Sequence, residues 1–186
     1  MTITEKEKPI GPLTRLARRF ARSDRGVTAI EFALVGPVFF AIIGATIETA
    51  LVFFAGYALD TAVIDSSRLI RTGQLSRVAS AEDYRREVCG RLYGMFDCDQ
   101  LRIAVTEIND FADFSPSDPI EQASGAWVMS VDQPLPAFAG SKNYIIEAYY
   151  KWPTIMNVPG LNAGQMADGK RLLATSHVIQ TEPFQP

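Results

Sequence analysis

The chain has little of what most catalytic sites need. Its 186 residues include one histidine, His177, and two cysteines, Cys89 and Cys98. A Ser-His-Asp or Cys-His arrangement would have to use His177, which lies in an alternating, strand-like pattern far along the chain from both cysteines. A histidine on the face of a strand is the simpler interpretation.

Other signatures of chemistry are also missing from the sequence. The segment Gly160–Gly164 lacks the Gly-Lys-Ser/Thr ending of a phosphate-binding loop. The carboxylates Glu82 and Asp83 are adjacent and typical of the first turn of a helix, where they complement its dipole. We therefore expect no enzyme activity, no cofactor and no bound metal.

Positive charge is concentrated at one end of the chain. Residues 1–26 hold seven Lys or Arg against three Asp or Glu, a net charge of +4, whereas the remainder holds 11 against 18, a net charge of −7. An acidic domain is a poor match for nucleic acid, whose phosphates need a basic surface. We therefore expect no nucleic-acid partner.

A long apolar segment follows the basic arm. Phe32 to Ile47 carries no charge, and Val27 to Glu48 covers about 32 Å at about 1.5 Å per helical residue, roughly one hydrocarbon core. A cleaved secretory signal is usually shorter, and the small-x-small triplet Gly56–Ala58 lies deep inside a helical pattern. The pattern predicts a single membrane span with its basic end in the cytoplasm and the rest of the chain outside.

Glu31 lies just inside this apolar segment. A carboxylate there is costly and usually has a partner. If the chain is cut after Gly26, Val27 becomes the N-terminus and stands four residues before Glu31 on one helix face, so its amine, or that of a neighbouring copy, could neutralise the carboxylate. The alternative is an interfacial carboxylate solvated by lipid headgroups.

These residues resemble a known family. Gly26, then four residues, then Glu31-Phe32 resembles the class III signal of type IV pilin-like proteins, and the run Arg25–Pro37 is similar to TadE-like pseudopilins of the tight-adherence (Flp) pilus system. The resemblance continues in Arg68–Gln74, in the pair Cys89 and Cys98, and in Thr181–Phe184. Phe32, where the major Flp pilin usually has Tyr, and the greater length indicate the minor, TadE-type subunit.

The resemblance implies a function and a set of partners. A prepilin peptidase would cut between Gly26 and Val27, and Glu31 and Phe32 would serve assembly. Partners would be that peptidase, other minor pilins, the major Flp pilin and the inner-membrane platform. The protein would be a single-pass protein of the bacterial inner membrane with a periplasmic domain. It would enter the pilus, prime its assembly or stay in the membrane, and the outcome would be adherence and biofilm formation. The alternative is a signal-anchored periplasmic binding domain that is not processed.

The two cysteines, nine positions apart, allow three interpretations. A disulfide is the natural product if the domain lies in an oxidising compartment, and it would join the end of a helix to the first strand. Two free thiols are one alternative. A metal pair is the other, but two thiolates need further ligands and the chain has a single histidine.

Hydrophobic periodicity predicts an α+β fold of the type IV pilin-like kind. We expect a cleaved leader over 1–26, one helix over 27–72 that is membrane-embedded in its first half and stopped by Gly73, and a periplasmic domain over 73–186. That domain should hold a second helix over Ala81–Phe96, capped by Ser80. It should also hold a roughly four-stranded antiparallel sheet, with strands over Leu101–Ile108, Ala126–Val131, Tyr144–Trp152 and Leu172–Gln180.

Overall fold

The structure is a computed structural model that describes residues 26–74, 80–110, 112, 114–116, 118–131, 133–155 and 166–183. Its helices are α1, Val27–Arg71, and α2, Ala81–Cys89, and a 3-10 turn covers Cys98–Gln100. Its strands are β1, Arg102–Ile108, β2, Asn143–Trp152, and β3, Arg171–Gln180. The predicted α+β class, with a long first helix and a second helix, is confirmed. The basic arm over residues 1–25 and Phe184 lie outside the described residues.

Helix α1 ends where its sequence predicts a stop. Gly73 has a φ of +69°, in the left-handed region that favours glycine. The Gly73 amide donates to the Ile70 carbonyl at 3.2 Å and the Gln74 amide donates to the Leu69 carbonyl at 2.9 Å. These two bonds form a Schellman cap, which satisfies carbonyls left open at the end of a helix.

The described chain divides within α1 into two compact units, one ending at Ala45 and the other beginning at Thr46. In the first unit the large apolar side chains of α1 are exposed on every side of the helix. A helix that is apolar all round belongs in a protein core or a membrane. By length and composition α1 is able to cross a membrane.

In the second unit the sheet and the second half of α1 share one hydrophobic core. The strand order is β1-β2-β3, and both neighbouring pairs are antiparallel. Alternate residues of β2 face this core, and the other face of β2 is buried as well, as expected for a central strand covered on both sides. The core includes Ala55, Leu59, Ala62 and Val63 of α1, Ile103 and Val105 of β1, Tyr144, Ile146, Ala148 and Tyr150 of β2, and Leu173 of β3.

The predicted strand over Ala126–Val131 is wrong. Its backbone bonds to a nearby turn instead of to the sheet: the Val128 and Met129 amides both donate to the Pro119 carbonyl, and an isolated bridge joins Ile120 to Trp127. Alternation showed that one side of the segment is buried, but a segment lying flat on a sheet buries alternate residues too. The described residues therefore contain three strands where four were expected.

Helix α2 begins as predicted and ends earlier. The Ser80 hydroxyl accepts the Asp83 amide at 3.1 Å, which confirms the cap. The buried Tyr84 hydroxyl lies 3.4 Å from Ser66 of α1, and burial raises the pKa of Tyr84 to about 12. The helix stops at Cys89, seven residues before the predicted end at Phe96.

The early end has a backbone cause. Beyond Cys89 the amides of Arg91 and Leu92 donate three residues back, and both Tyr93 and Gly94 have positive φ, +52° and +69°. An α-helix cannot continue through such residues. The chain therefore turns back on itself, and Leu92 and Phe96 are buried without being helical.

We expect Gly73→Ala to lower the free energy of unfolding of the second unit by about 1–2 kcal/mol, because alanine strains a left-handed backbone. Urea denaturation of the full chain in detergent, followed by the fluorescence of Trp127 and Trp152, measures this change. Gly56→Ala is the control: it lies inside α1 with no atom within 4 Å of the added Cβ, so it should be neutral or slightly stabilising. Equal effects of the two substitutions would contradict the assignment of the cap.

Candidate functional site

The predicted processing position lies at the start of α1. Gly26 is the first described residue, and α1 begins at Val27 directly after it. A Cβ placed on Gly26 would meet no described atom within 4 Å. The described fold therefore has room for a side chain at this position, so a need for glycine here would have to come from a binding partner such as a peptidase.

Val27 and Glu31 stand one helical turn apart, and both are exposed. Among the described residues, no ion pair joins Glu31 to a basic side chain. Side chains at i and i+4 face each other on a helix, about 5–6 Å apart between Cβ atoms. In this structure the peptide bond between Gly26 and Val27 is uncut, so neutralisation of Glu31 by a new N-terminus stays a prediction.

Phe32 lies against Gly36, one turn further on. Its ring carbons are 3.6 Å from the position that a Gly36 Cβ would take, so the ring covers the buried glycine while most of Phe32 stays exposed. Helix α1 continues through Pro37 without interruption. The segment from Phe32 to Pro37 is therefore continuous helix, and its large apolar side chains are exposed.

Besides the contact of Ser66 with Tyr84, polar contacts at three levels of α1 hold its second half to strand β3 and to the segments that follow β2 and β3, and the first involves Glu48. This carboxylate, 4% exposed, accepts the Ile155 amide at 3.0 Å. Glu48 ends the uncharged part of the apolar segment, and the Ile155 amide is its partner in this buried position.

The second contact joins α1 to β3. Asp60 Oδ1 accepts the Thr175 hydroxyl at 2.5 Å and lies 2.8 Å from His177 Nε2. The hydrogen bond from Thr175 is the main cause that lowers the pKa of Asp60. Burial opposes it, and the hydrogen bond and charge of His177 lower the pKa further. His177 is a strand histidine as predicted. Its pairing with Asp60 was not predicted, because the two residues are 117 positions apart and no local pattern links them.

The third contact brings together two of the segments that carry the family resemblance. The Glu182 amide donates to the Arg71 carbonyl at 2.9 Å, which joins Thr181–Glu182 to the end of α1. Thr181 is buried, donates to the Ala139 carbonyl at 2.7 Å and accepts the Lys142 amide at 3.0 Å. These motif residues are therefore structural: they fix the end of α1 to the end of β3.

Cys89 and Cys98 form a disulfide, with their Cα atoms 5.8 Å apart. The bridge joins the end of α2 to the 3-10 turn just before β1, as the first of the three sequence interpretations proposed. The free-thiol and metal-pair alternatives are wrong for this structure. Among the described residues there is no group of three or more side chains able to hold a metal.

A cluster that the sequence did not indicate lies on the face of the sheet away from α1. Arg102 and Lys151 both stand over the ring of Trp127, at 4.9 and 4.5 Å from its centroid. Lys151 donates to the Gly125 carbonyl, and burial lowers its pKa while Asp168 opposes that change. Cation–π contacts of this kind fix the 119–131 segment on the sheet.

Taken together, the described residues form one apolar helix whose second half is built into a disulfide-bonded α+β unit. Residues 26–68 match the family model of TadE-like proteins, so the resemblance is confirmed over this segment. Over Gly26 and most of α1 the chain is therefore similar to TadE-like proteins. No curated protein and no solved structure matches the chain.

We expect Asp60→Asn to lower the free energy of unfolding by about 1 kcal/mol at neutral pH, since water screens this half-exposed group. The folded pKa lies below the ordinary value of 3.8, so the stabilisation is complete above that value and disappears as pH falls through the lowered pKa. Urea midpoints of wild type and variant should therefore converge below pH 4. Asp65→Asn, at an exposed position of α1, should show no such convergence.

We expect the double substitution Cys89→Ser and Cys98→Ser to lower the free energy of unfolding by about 2–3 kcal/mol, because the bridge restricts the unfolded chain. Denaturation of the oxidised wild type, the reduced wild type and the double variant measures this effect. The reduced wild type and the double variant should have the same denaturation midpoint. If adding reductant leaves the wild-type midpoint unchanged, the disulfide contributes nothing to stability.

Proposed function

We propose that this TadE-like chain is a pseudopilin, a minor pilin subunit that a prepilin peptidase processes and that serves assembly of the tight-adherence pilus. The observation that carries the proposal is the start of α1. The helix begins at Val27, directly after Gly26, and exposes apolar side chains on every side while its one early charge, Glu31, lies a turn inside. A surface of this kind requires lipid or other helices around it.

Processing would create the partner that Glu31 needs. Hydrolysis of the Gly26–Val27 peptide bond consumes one water and leaves a carboxylate on Gly26 and an amine on Val27. The new amine is positive at neutral pH, and Glu31 lies one turn from it. A carboxylate at the centre of a membrane helix costs about 2.5–3.5 kcal/mol and less near the interface. Neutralisation by this amine, or by that of a neighbouring subunit, removes much of that cost and favours an ordered bundle of helices.

The location follows from the charge asymmetry. The arginine-rich arm before Gly26 would remain in the cytoplasm, the first half of α1 would cross the inner membrane once, and the domain over 73–186 would lie in the periplasm. The Cys89–Cys98 bridge supports this orientation, because disulfides persist in oxidising compartments. Partners would be the prepilin peptidase, other minor pilins, the major Flp pilin and the inner-membrane platform. The outcome would be adherence and biofilm formation.

We also propose that the chain has no enzymatic role. Its one histidine is engaged with Asp60 at 2.8 Å, and Cys89 and Cys98 are bonded to each other. The histidine and both cysteines thus each have a structural partner. The protein would act through its surfaces.

The proposal is tested by the mass and N-terminal sequence of the membrane-purified protein, from cells with and without a prepilin peptidase. We expect a chain that starts at Val27 only when the peptidase is present. Gly26→Ala should leave an uncut chain, because the described fold tolerates the added methyl group and only the peptidase should reject it. Glu31→Gln should be cut normally and fail in pilus assembly.

The control for this experiment is Gly56→Ala, which changes a glycine of the same helix away from the cleavage position and should be processed as wild type. An uncut chain starting at Met1 in both strains would contradict processing. That result would favour a signal-anchored periplasmic binding domain instead.

A further inference from the structure

The exposed side of α1 stays apolar well beyond Glu48. After Glu31, the next two charged residues of the helix are Glu48, which is buried, and Asp60, whose carboxylate is engaged with Thr175 and His177. After Glu31, the next charged residue of the helix that is classed as exposed is Asp65. The exposed surface of α1 therefore does not change from apolar to polar at Glu48, and it does not mark the end of a membrane span there.

Large apolar side chains occupy this stretch and point away from the sheet. Phe53 is 72% exposed and Tyr57 70% exposed, although both belong to the unit that carries the sheet. Ile155, in the loop after β2, is also 72% exposed. We name this set the apolar collar; its members are Ile47, Leu51, Phe53, Phe54, Tyr57 and Ile155.

The contact between Glu48 and Ile155 explains how a carboxylate can lie beside the collar. The carboxylate accepts the Ile155 amide and is almost fully buried, so it is shielded from its surroundings. The same bond holds the Ile155 backbone against α1 and leaves the isoleucine side chain facing outwards. The Glu48 charge, which would be unfavourable next to lipid, is therefore buried, and the apolar side chain of Ile155 is exposed beside it.

Distances along the helix agree with a boundary beyond Glu48. From Phe32 to Phe53 the helix rises about 32 Å at about 1.5 Å per residue, the thickness of a hydrocarbon core. From Val27 to Tyr57 it rises about 45 Å, the thickness of a bilayer with both headgroup regions. Glu31 then lies in one headgroup region and Tyr57 in the other.

We propose that the apolar collar lies in the outer boundary of the lipid bilayer, so that the membrane ends at Phe53–Tyr57 and the loop at Ile155 dips into the headgroup region. The proposal rests on the proposed function only in taking α1 as a membrane span. Along the helix the apolar Phe53 and Phe54 come before the amphipathic Tyr57. This order follows the increase in water across an interface. The partner is the phospholipid surface itself.

The proposal is tested with nitroxide spin labels on the full chain in vesicles of phosphatidylethanolamine and phosphatidylglycerol. The native disulfide is kept, so each variant has one reactive thiol. The collar variants are Phe53→Cys, Tyr57→Cys and Ile155→Cys. Phe40→Cys is the reference inside the span, and Val178→Cys, 50% exposed on β3, is the reference in water. Relaxation by oxygen, which concentrates in lipid, is compared with relaxation by a water-soluble nickel chelate.

We expect relaxation by oxygen to dominate at position 40 and at the collar, and relaxation by nickel to dominate at position 178. The ratio of the oxygen effect to the nickel effect should be lower at position 57 than at position 53. Nickel access at the collar equal to that at 178, with position 40 still in lipid, would overturn this inference alone. Collar labels that neither reagent reaches would indicate a protein neighbour and would also overturn it. Nickel access at position 40 would instead overturn the membrane span, and the proposed function with it.

Discussion

The burial of the second half of α1 against β2 is the interaction on which the rest of the second unit depends. Each face of a sheet must be covered, and β2 is buried on both. Small and branched residues of α1, such as Ala55 and Leu59, pack into the same core as Ile146 and Ala148 of β2. At about 25 cal/mol per Å² of buried apolar surface, packing of this kind is the main favourable contribution to folding.

Hydrophobic packing does not by itself fix where a helix lies along its axis, and three polar contacts do so here. Glu48, Asp60 and Arg71 each bond to a different part of the unit: the loop after β2, the middle of β3 and the segment that follows β3. They are about 18 and 17 Å apart along the helix, at about 1.5 Å per residue. A shift of one turn would break all three contacts together.

Sequence patterns were reliable where a single local cause operates. Ser80 as a cap, Gly73 as a stop and the alternation in β1, β2 and β3 depend on neighbouring residues, and the structure has all of them. The patterns failed where a distant contact or the local backbone decides. The segment over Ala126–Val131 alternates because it lies on Lys151 and Arg102, and helix α2 ends early because Tyr93 and Gly94 reverse the chain.

The sequence by itself determined the apolar helix, its charged start at Glu31, the α+β class and the family resemblance, because these depend on composition and on short spacings. Tertiary structure decided which polar residues meet. The pairing of Asp60 with His177, the burial of Glu48 by Ile155 and the closure of α1 by Glu182 join positions about a hundred residues apart. No local pattern encodes such pairs, since they form only when the sheet brings distant segments to one face of the helix.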